Sequence, residues 1–356
     1  MTAFLASVGL PEIVAGVMML ALNAYALSGG ADFGGGVWDL LARGPRREAQ
    51  RTLIASAIGP IWEANHVWLI IVVVMLFTGF PSAFASLGIV LHIPLSLMLV
   101  GIVLRGAAFV FRSYGSGDHA GRRAWGRVFA IASTMTPLLL GAIIGAIASG
   151  AVGDAAARIP TRESAAIASS QMSFLDMFVA PWIAPFPLAI GAFALALFAF
   201  LAAVYLAVVA RDEALREDFR RRALAAAAAV FLTAMLSLGI ARLRVPHLSR
   251  LLMTSAWAVP FQGATAIAAL TAIWALWQRR WPLARSAAAA QVSLILWGWA
   301  FGQYPYLIPP TQAIRDIAAP RLTLELLLWA LAGGALLLLP SLVYLFRTFS
   351  ASRKQL

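Results

Sequence analysis

Cysteine is missing from all 356 residues, so the chain has no disulfide framework, no thiolate metal ligand and no iron–sulfur site. Four histidines are its whole supply of nitrogen ligands. Charge is scarce as well: Asp, Glu, Lys and Arg together make up 12% of the residues, where soluble domains average about 25%. Long polar segments are also wanting. The longest connection between apolar runs, about 153–181, is too short to build its own core, although its Ala and Ser content suits a surface-lying helix. No internal repeat is visible, which leaves an inverted-repeat transporter without support.

Apolar residues fill the space that charge leaves. At 62% hydrophobic and a mean hydropathy of +0.85, the chain is expected to cross a membrane many times. A net charge of +12 would suggest nucleic acid in a soluble protein. Here the arginines sit in short loops between apolar runs, as topology signals do, and no nucleic-acid partner is expected. The first apolar run lacks a basic leader and carries Glu12 and Asn23, so it reads as a retained span and not a cleaved signal peptide.

Runs of about 20 or more apolar residues fall near 9–28, 52–78, 82–107, 126–152, 183–210, 223–241, 259–278, 286–307 and 324–346. Alternate connections are basic: 20 of the 27 Lys and Arg residues lie on one side and 7 on the other. The positive-inside rule then puts the N-terminus outside and the C-terminus in the cytoplasm. The expected fold is an all-α polytopic membrane protein of about nine transmembrane helices, forming a single multi-pass domain over 1–356.

The second run holds the densest chemistry, in Gly59-Pro60-Ile61-Trp62-Glu63-Ala64-Asn65-His66-Val67-Trp68. An ionisable group at the centre of a bilayer costs at least about 2.5–3.5 kcal/mol, so such groups are retained for a reason. If the run is one helix, Glu63 and His66 share a face at i and i+3, with Trp62, Asn65 and Trp68 around them. Glu63 then reads either as a proton relay, its carboxyl tuned by burial, or as a permanently protonated acid bonded to Asn65 or a neighbouring helix.

The remaining polar positions each have a plain reading. His66 and His92 fall at similar depth on adjacent spans, which admits bis-histidine haem ligation, although a membrane histidine more often hydrogen-bonds across helices. His119 and His247 fall in loops. The glycine-rich stretch Ser28 to Asp39 lets backbones approach and lets the helix break at the membrane surface; without a strand–turn–helix context it is no phosphate loop. Asp32 within it is either a helix-terminal cap or the entry of a proton path. Arg105, near the end of the third run, is expected to reach the cytoplasmic interface without a partner. Gln303 to Pro310 closes the eighth run, where prolines stop the helix; its residues read either as a hydrogen-bonding site for a quinone headgroup or as an ordinary aromatic belt at the interface.

Taken together, these pieces resemble subunit II of the cytochrome bd-type quinol oxidases, including the cyanide-insensitive branch. The likeness rests on Gly30-Ala31-Asp32-Phe33-Gly34-Gly35-Gly36, Gly59 to Trp68, Leu104-Arg105-Gly106-Ala107-Ala108-Phe109-Val110-Phe111-Arg112, Leu296 to Tyr306 and Leu338 to Phe346, and extends over nearly the whole chain. The resemblance implies a bacterial inner-membrane partner to a haem-bearing subunit I, in a complex that oxidises quinol and reduces dioxygen to water. It places two b-type haems and one d-type haem in subunit I and none in this chain. It also implies a structural quinone, lipids and small single-span accessory subunits as candidate associates.

Carried over residue by residue, the resemblance makes Glu63 the acid that assists proton delivery, with Trp62, Asn65, His66, Trp68 and Arg105 supporting it. Three positions depart from the family's pattern: an acid is common where Gly29 stands, glycine where Ala64 stands, and often an acid where Val110 stands. Two rival classes remain, a transporter coupled to protons through Glu63 and a cytochrome carrying its own haem.

Overall fold

The structure, a computed structural model, describes residues 9–58, 64–114, 119–159 and 173–355. Proline punctuates the chain. It occupies the first turn of six helices: α1 (Leu10–Leu40), α4 (Pro81–Val90), α9 (Ala180–Ile183), α10 (Pro185–Val209), α12 (Pro246–Thr254) and α14 (Trp281–Gln303). There its missing N–H costs nothing, because the first turn has no intrahelical acceptor. The other helices are α2 (Arg47–Ile58), α3 (His66–Gly79), α5 (His92–Tyr114), α6 (His119–Ala148), α7 (Ala151–Ala156), α8 (Phe174–Phe178), α11 (Glu213–Arg244), α13 (Ala258–Trp277) and α15 (Arg321–Gln355). At the head of α1, the Glu12 carboxylate accepts from the Gly9 N–H at 2.9 Å; at the head of α11, Asp212 accepts from Leu215 at 3.1 Å.

Among the described residues, seven helices are long and apolar enough to cross a membrane, or eight if the pair α3 and α4 counts as one bent span. The run expected over 52–78 is divided. α2 ends at Ile58, a turn occupies Ala64 and Asn65, and α3 begins only at His66. At 14 residues α3 is about 21 Å long, short of a ~30 Å hydrocarbon layer. The chain then bends by 116° at Phe80 into α4, so the third crossing begins at His92 and not near residue 82.

α10 lies at the centre. From Leu197 to Ala207 it is buried almost all round, and α1, α6 and α11 pack on it. Small residues set these distances, as expected where no water drives helices together. A Cβ on Gly34 of α1 would sit 1.9 Å from the Phe198 carbonyl oxygen, and one on Gly191 of α10 would sit 2.5 Å from the Leu138 carbonyl of α6. The stretch expected to break the first helix therefore continues it: α1 runs unbroken through all its glycines to Leu40. The hydrophobic environment removes water's competition for the backbone and the glycines dock against neighbours, which together override low helix propensity.

At the end of the bundle holding Gly79 and His92, a second core forms from Val14, Met75, Phe80, Leu91, Val152 and Ile308. A two-stranded hairpin, β1 (Tyr306–Ile308) and β2 (Gln312–Ala313), closes it. The hairpin's Gln312 donates to the Ser86 hydroxyl on α4 at 2.7 Å, and the Ala319 N–H that follows bonds the Gly79 carbonyl at 2.8 Å.

Candidate functional site

Asp32 does not cap a helix end. It sits in mid-α1, buried, and its Oδ1 accepts from the Arg105 guanidinium of α5, which is also fully buried. Arg105 therefore does not snorkel. Asn65, buried at the turn before α3, donates to Asp32 Oδ2 at 3.4 Å. The rings of Phe33 and Phe129 lie 4.9 and 5.5 Å from the Arg105 guanidinium carbon, in cation–π range. Removing two charges from water is costly unless they are paired, so this cluster persists because two helices and the turn before α3 deliver acid, base and amide to one point.

Two turns further along, the same helices repeat the arrangement. Asp39, seven residues beyond Asp32 on α1, has no solvent contact and accepts from Arg112 at 3.0 Å, seven residues beyond Arg105 on α5. Arg51 of α2 approaches the same oxygen at 3.7 Å. Phe129 of α6 stands between the rungs, 5.5 Å from Arg105 and 5.9 Å from Arg112. A cavity of about 10 Å³, room for about one water, is lined by Asp39, Ile54, Ala55, Phe109, Arg112 and Phe129.

His66 opens α3 and lines a cleft of about 530 Å³ with Ile102, Val103, Gly106, Ala107, Val110 and Phe111 of α5. His92 is elsewhere. Its Nδ1 lies 2.9 Å from the Ile89 carbonyl, and its ring meets Phe178 edge-on at 5.1 Å. Ile102, the nearest α5 residue of the cleft, is ten residues or about 15 Å along the helix from His92. The similar depth expected of the two histidines is thus corrected, because the third crossing starts at His92 itself, and the pair forms no bis-imidazole site. Among the described residues, no group of three His, Asp or Glu side chains converges to hold a metal. Trp68 is partly buried against the main core, while Trp62 and Glu63 lie outside the described residues. His247 is on the short helix α12 and exposed, and α6 begins at His119, so neither stands in a loop.

Among known proteins, the family model described as cytochrome bd terminal oxidase subunit II matches residues 10–349. The chain belongs to that family. It is 34% identical over 97 residues to the cytochrome bd ubiquinol oxidase subunit 2 of Bacillus subtilis, covering 27% of this chain and 28% of that one. It is 26% identical over 138 residues to the cytochrome bd-I ubiquinol oxidase subunit 2 of Escherichia coli, covering 39% of this chain and 35% of the other. These aligned segments thus span about a third or less of the relatives' own length. A chain in the structure of bd oxidase from Geobacillus thermodenitrificans shares the fold, with a TM-score of 0.76 at 22% identity over 96% of this chain and 98% of that one.

Within this subunit II fold, the two positions expected to lack an acid have specific surroundings. Gly29 lies under the buried ring of Tyr25, where a Cβ would meet Cε2 at 3.0 Å. Val110 faces the cleft beside His66. The roles of Asp39, Arg51 and Arg112 were not expected. The available signal was the matched spacing: acids seven apart on one helix and arginines seven apart on another, which keeps both pairs on facing stripes.

Proposed function

We propose that this chain is the second subunit of a bd-type quinol oxidase, which scaffolds a haem-bearing subunit I and assists proton delivery as dioxygen is reduced to water with quinol as donor. The observation that carries this reading is the family match over residues 10–349. The two b-type haems and the d-type haem would reside in subunit I and supply the electron transfer and oxygen chemistry. This chain's share is packing, charge and protons. Glu63 is the proposed relay and Asp32 the proposed entry; Trp62, Asn65, His66, Trp68 and Arg105 support them. The proposed topology is nine crossings in one domain of the bacterial inner membrane, N-terminus outside and C-terminus cytoplasmic, with α14 and the α3–α4 pair completing the count. A structural quinone, bound lipids and small single-span subunits complete the proposed complex.

The two rivals have less support. A self-sufficient cytochrome needs paired axial ligands, and His66 and His92 stand apart. A transporter built on two halves would favour paired broken helices, whereas α3–α4 is the single bent pair among the described residues.

The test is quinol-driven oxygen uptake by membranes from cells lacking this chain, restored with the wild-type gene, Glu63→Gln or Glu63→Asp. Wild type should restore uptake. Glu63→Gln, which keeps hydrogen bonding but cannot titrate, should assemble with full haem content and turn over at least about tenfold slower, with Glu63→Asp retaining part of the rate. Uptake that never depends on this chain contradicts the reading.

A further inference from the structure

One buried hydroxyl lies between the two rungs. Ser133 of α6 is fully buried, and its Oγ has no hydrogen-bond partner among the described residues. Its neighbours behave differently: Thr134 and Thr136 each donate back to the carbonyl four residues earlier, both at 2.8 Å. That back-bond is the usual fate of a hydroxyl in a membrane helix. Leaving it unmade carries the desolvation penalty of a buried polar group.

The position of that hydroxyl is set by Gly36. A Cβ there would lie 2.1 Å from Ser133 Cβ and 2.3 Å from Oγ, so the absent side chain is what admits Ser133 to the surface of α1. Gly36 is four residues after Asp32 and three before Asp39, hence on the same face as both. The two acids are separated by about 10.5 Å along α1, and Ser133 divides this into steps of about 6 and 4.5 Å. With the Ser133 hydroxyl between them, one water can bridge each step of that size. The cavity with room for about one water adjoins Asp39, and Asp39 Oδ2 has no partner among the described residues.

We propose that Asp39 and Ser133 extend the Asp32 cluster into a proton-transfer line along one face of α1, with Asp39 as the uptake group at its aqueous end. The proposal rests on the oxidase reading above. The charged groups facing Asp39 are Arg112 from α5 and Arg51 from α2; α6 contributes the Phe129 ring. Both arginines retain some exposure, 21% and 24% of their side chains, so they join the buried carboxylate to the surface. In each passage the Asp39 carboxylate takes a proton from hydronium in the aqueous phase that Arg51 and Arg112 adjoin. Its O–H then donates to a water, that water protonates Ser133 Oγ, and the former Ser133 proton leaves through a second water for the Asp32 carboxylate. Only O–H bonds form and break, one proton is carried net from the aqueous phase to Asp32, and Asp39, Ser133 and the waters return to their starting states.

The bland alternative is a clamp, in which Asp39 merely ties α1 to α2 and α5. Purified haem-loaded complex separates the two. Quinol-driven oxygen turnover per haem is measured from about pH 6 to pH 9, in water and in deuterium oxide, for wild type, Asp39→Asn and Ser133→Ala. A lost relay slows uptake most where protons are scarce. Asp39→Asn should therefore fall by about fivefold or more at the alkaline end and less at the acid end, and Ser133→Ala should show the same trend at about two- to threefold, each with a raised solvent isotope effect. Ser133 is in no ion pair, so its variant decides the question even if Asp39→Asn fails to assemble. Wild-type turnover per haem at every pH in Ser133→Ala overturns the line, whatever the stability of either variant. A wild-type complex that is itself inert towards quinol and oxygen overturns the oxidase reading, and this proposal with it.

Discussion

Arg105 carries a full charge into a place without solvent contact, and one carboxylate answers it. Its Nε and Nη1 have no hydrogen-bond acceptor among the described residues, so Asp32 and the faces of Phe33 and Phe129 hold the guanidinium in place. Removing one member of such a pair strands the other. Arg105→Ala should cost about 3–5 kcal/mol and sharply lower the yield of folded chain, measured by thermal unfolding in detergent. Arg105→Asn with Asp32→Asn together should recover much of that loss, since both charges go at once; equal loss in the double variant contradicts the pairing account. The sequence makes the importance of Asp32 legible, because an acid in an apolar run is conspicuous. Its partner was not legible. A lone arginine near a helix end can reach the interface, and only the fold shows that α5 continues to Tyr114, leaving Arg105 deep inside.

Helices show the same division. Their existence and rough extent follow from apolar length, and the prolines mark their starts. Two boundaries turned on competing forces. The run 52–78 is apolar enough to read as one span, yet a turn stands at Ala64 and Asn65 before α3, and the sequence carries Gly59-Pro60 a few residues earlier, where the residue before a proline disfavours helix. That signal was present and outweighed by hydropathy. The glycines of α1 misled in the opposite direction, since their propensity says break while the neighbours that fill their missing side chains cannot be seen in a single sequence. Gly34→Ala is the direct check. Its methyl group would fall 1.9 Å from the Phe198 carbonyl oxygen, a rigid atom in the central helix, so α1 and α10 must separate. We expect loss of assembled protein, while Gly16→Ala, with nothing within 4 Å of its new methyl, should be neutral or slightly stabilising.

For the whole molecule, the membrane is the solvent and orientation the first question. The 20-to-7 division of basic residues predicts that a cytoplasm-active reporter fused after Lys354 works and one fused near Ala156 does not; the reverse pattern would invert the side from which protons enter. α15 bears on partnership. Leu336, Leu337 and Trp329 are at least 75% exposed, a surface that lipid or another apolar subunit has to cover. The family and the fold were legible from short motifs spread over the chain, because glycine, acid and tryptophan at fixed spacings are rare in otherwise featureless apolar sequence. The proton line was not, because it depends on residues of α1, α5 and α6 meeting across the bundle. The most direct measurement of the central claim is a mild-detergent purification of the tagged chain from its native membrane, followed by identification of its companions and a reduced-minus-oxidised visible spectrum. The account predicts a larger membrane subunit bearing b- and d-type haem signals, which disappear when that subunit is stripped away. A chain that purifies alone without haem from membranes rich in quinol oxidase, or that keeps a bis-imidazole spectrum alone and loses it on His66→Ala or His92→Ala, would contradict it.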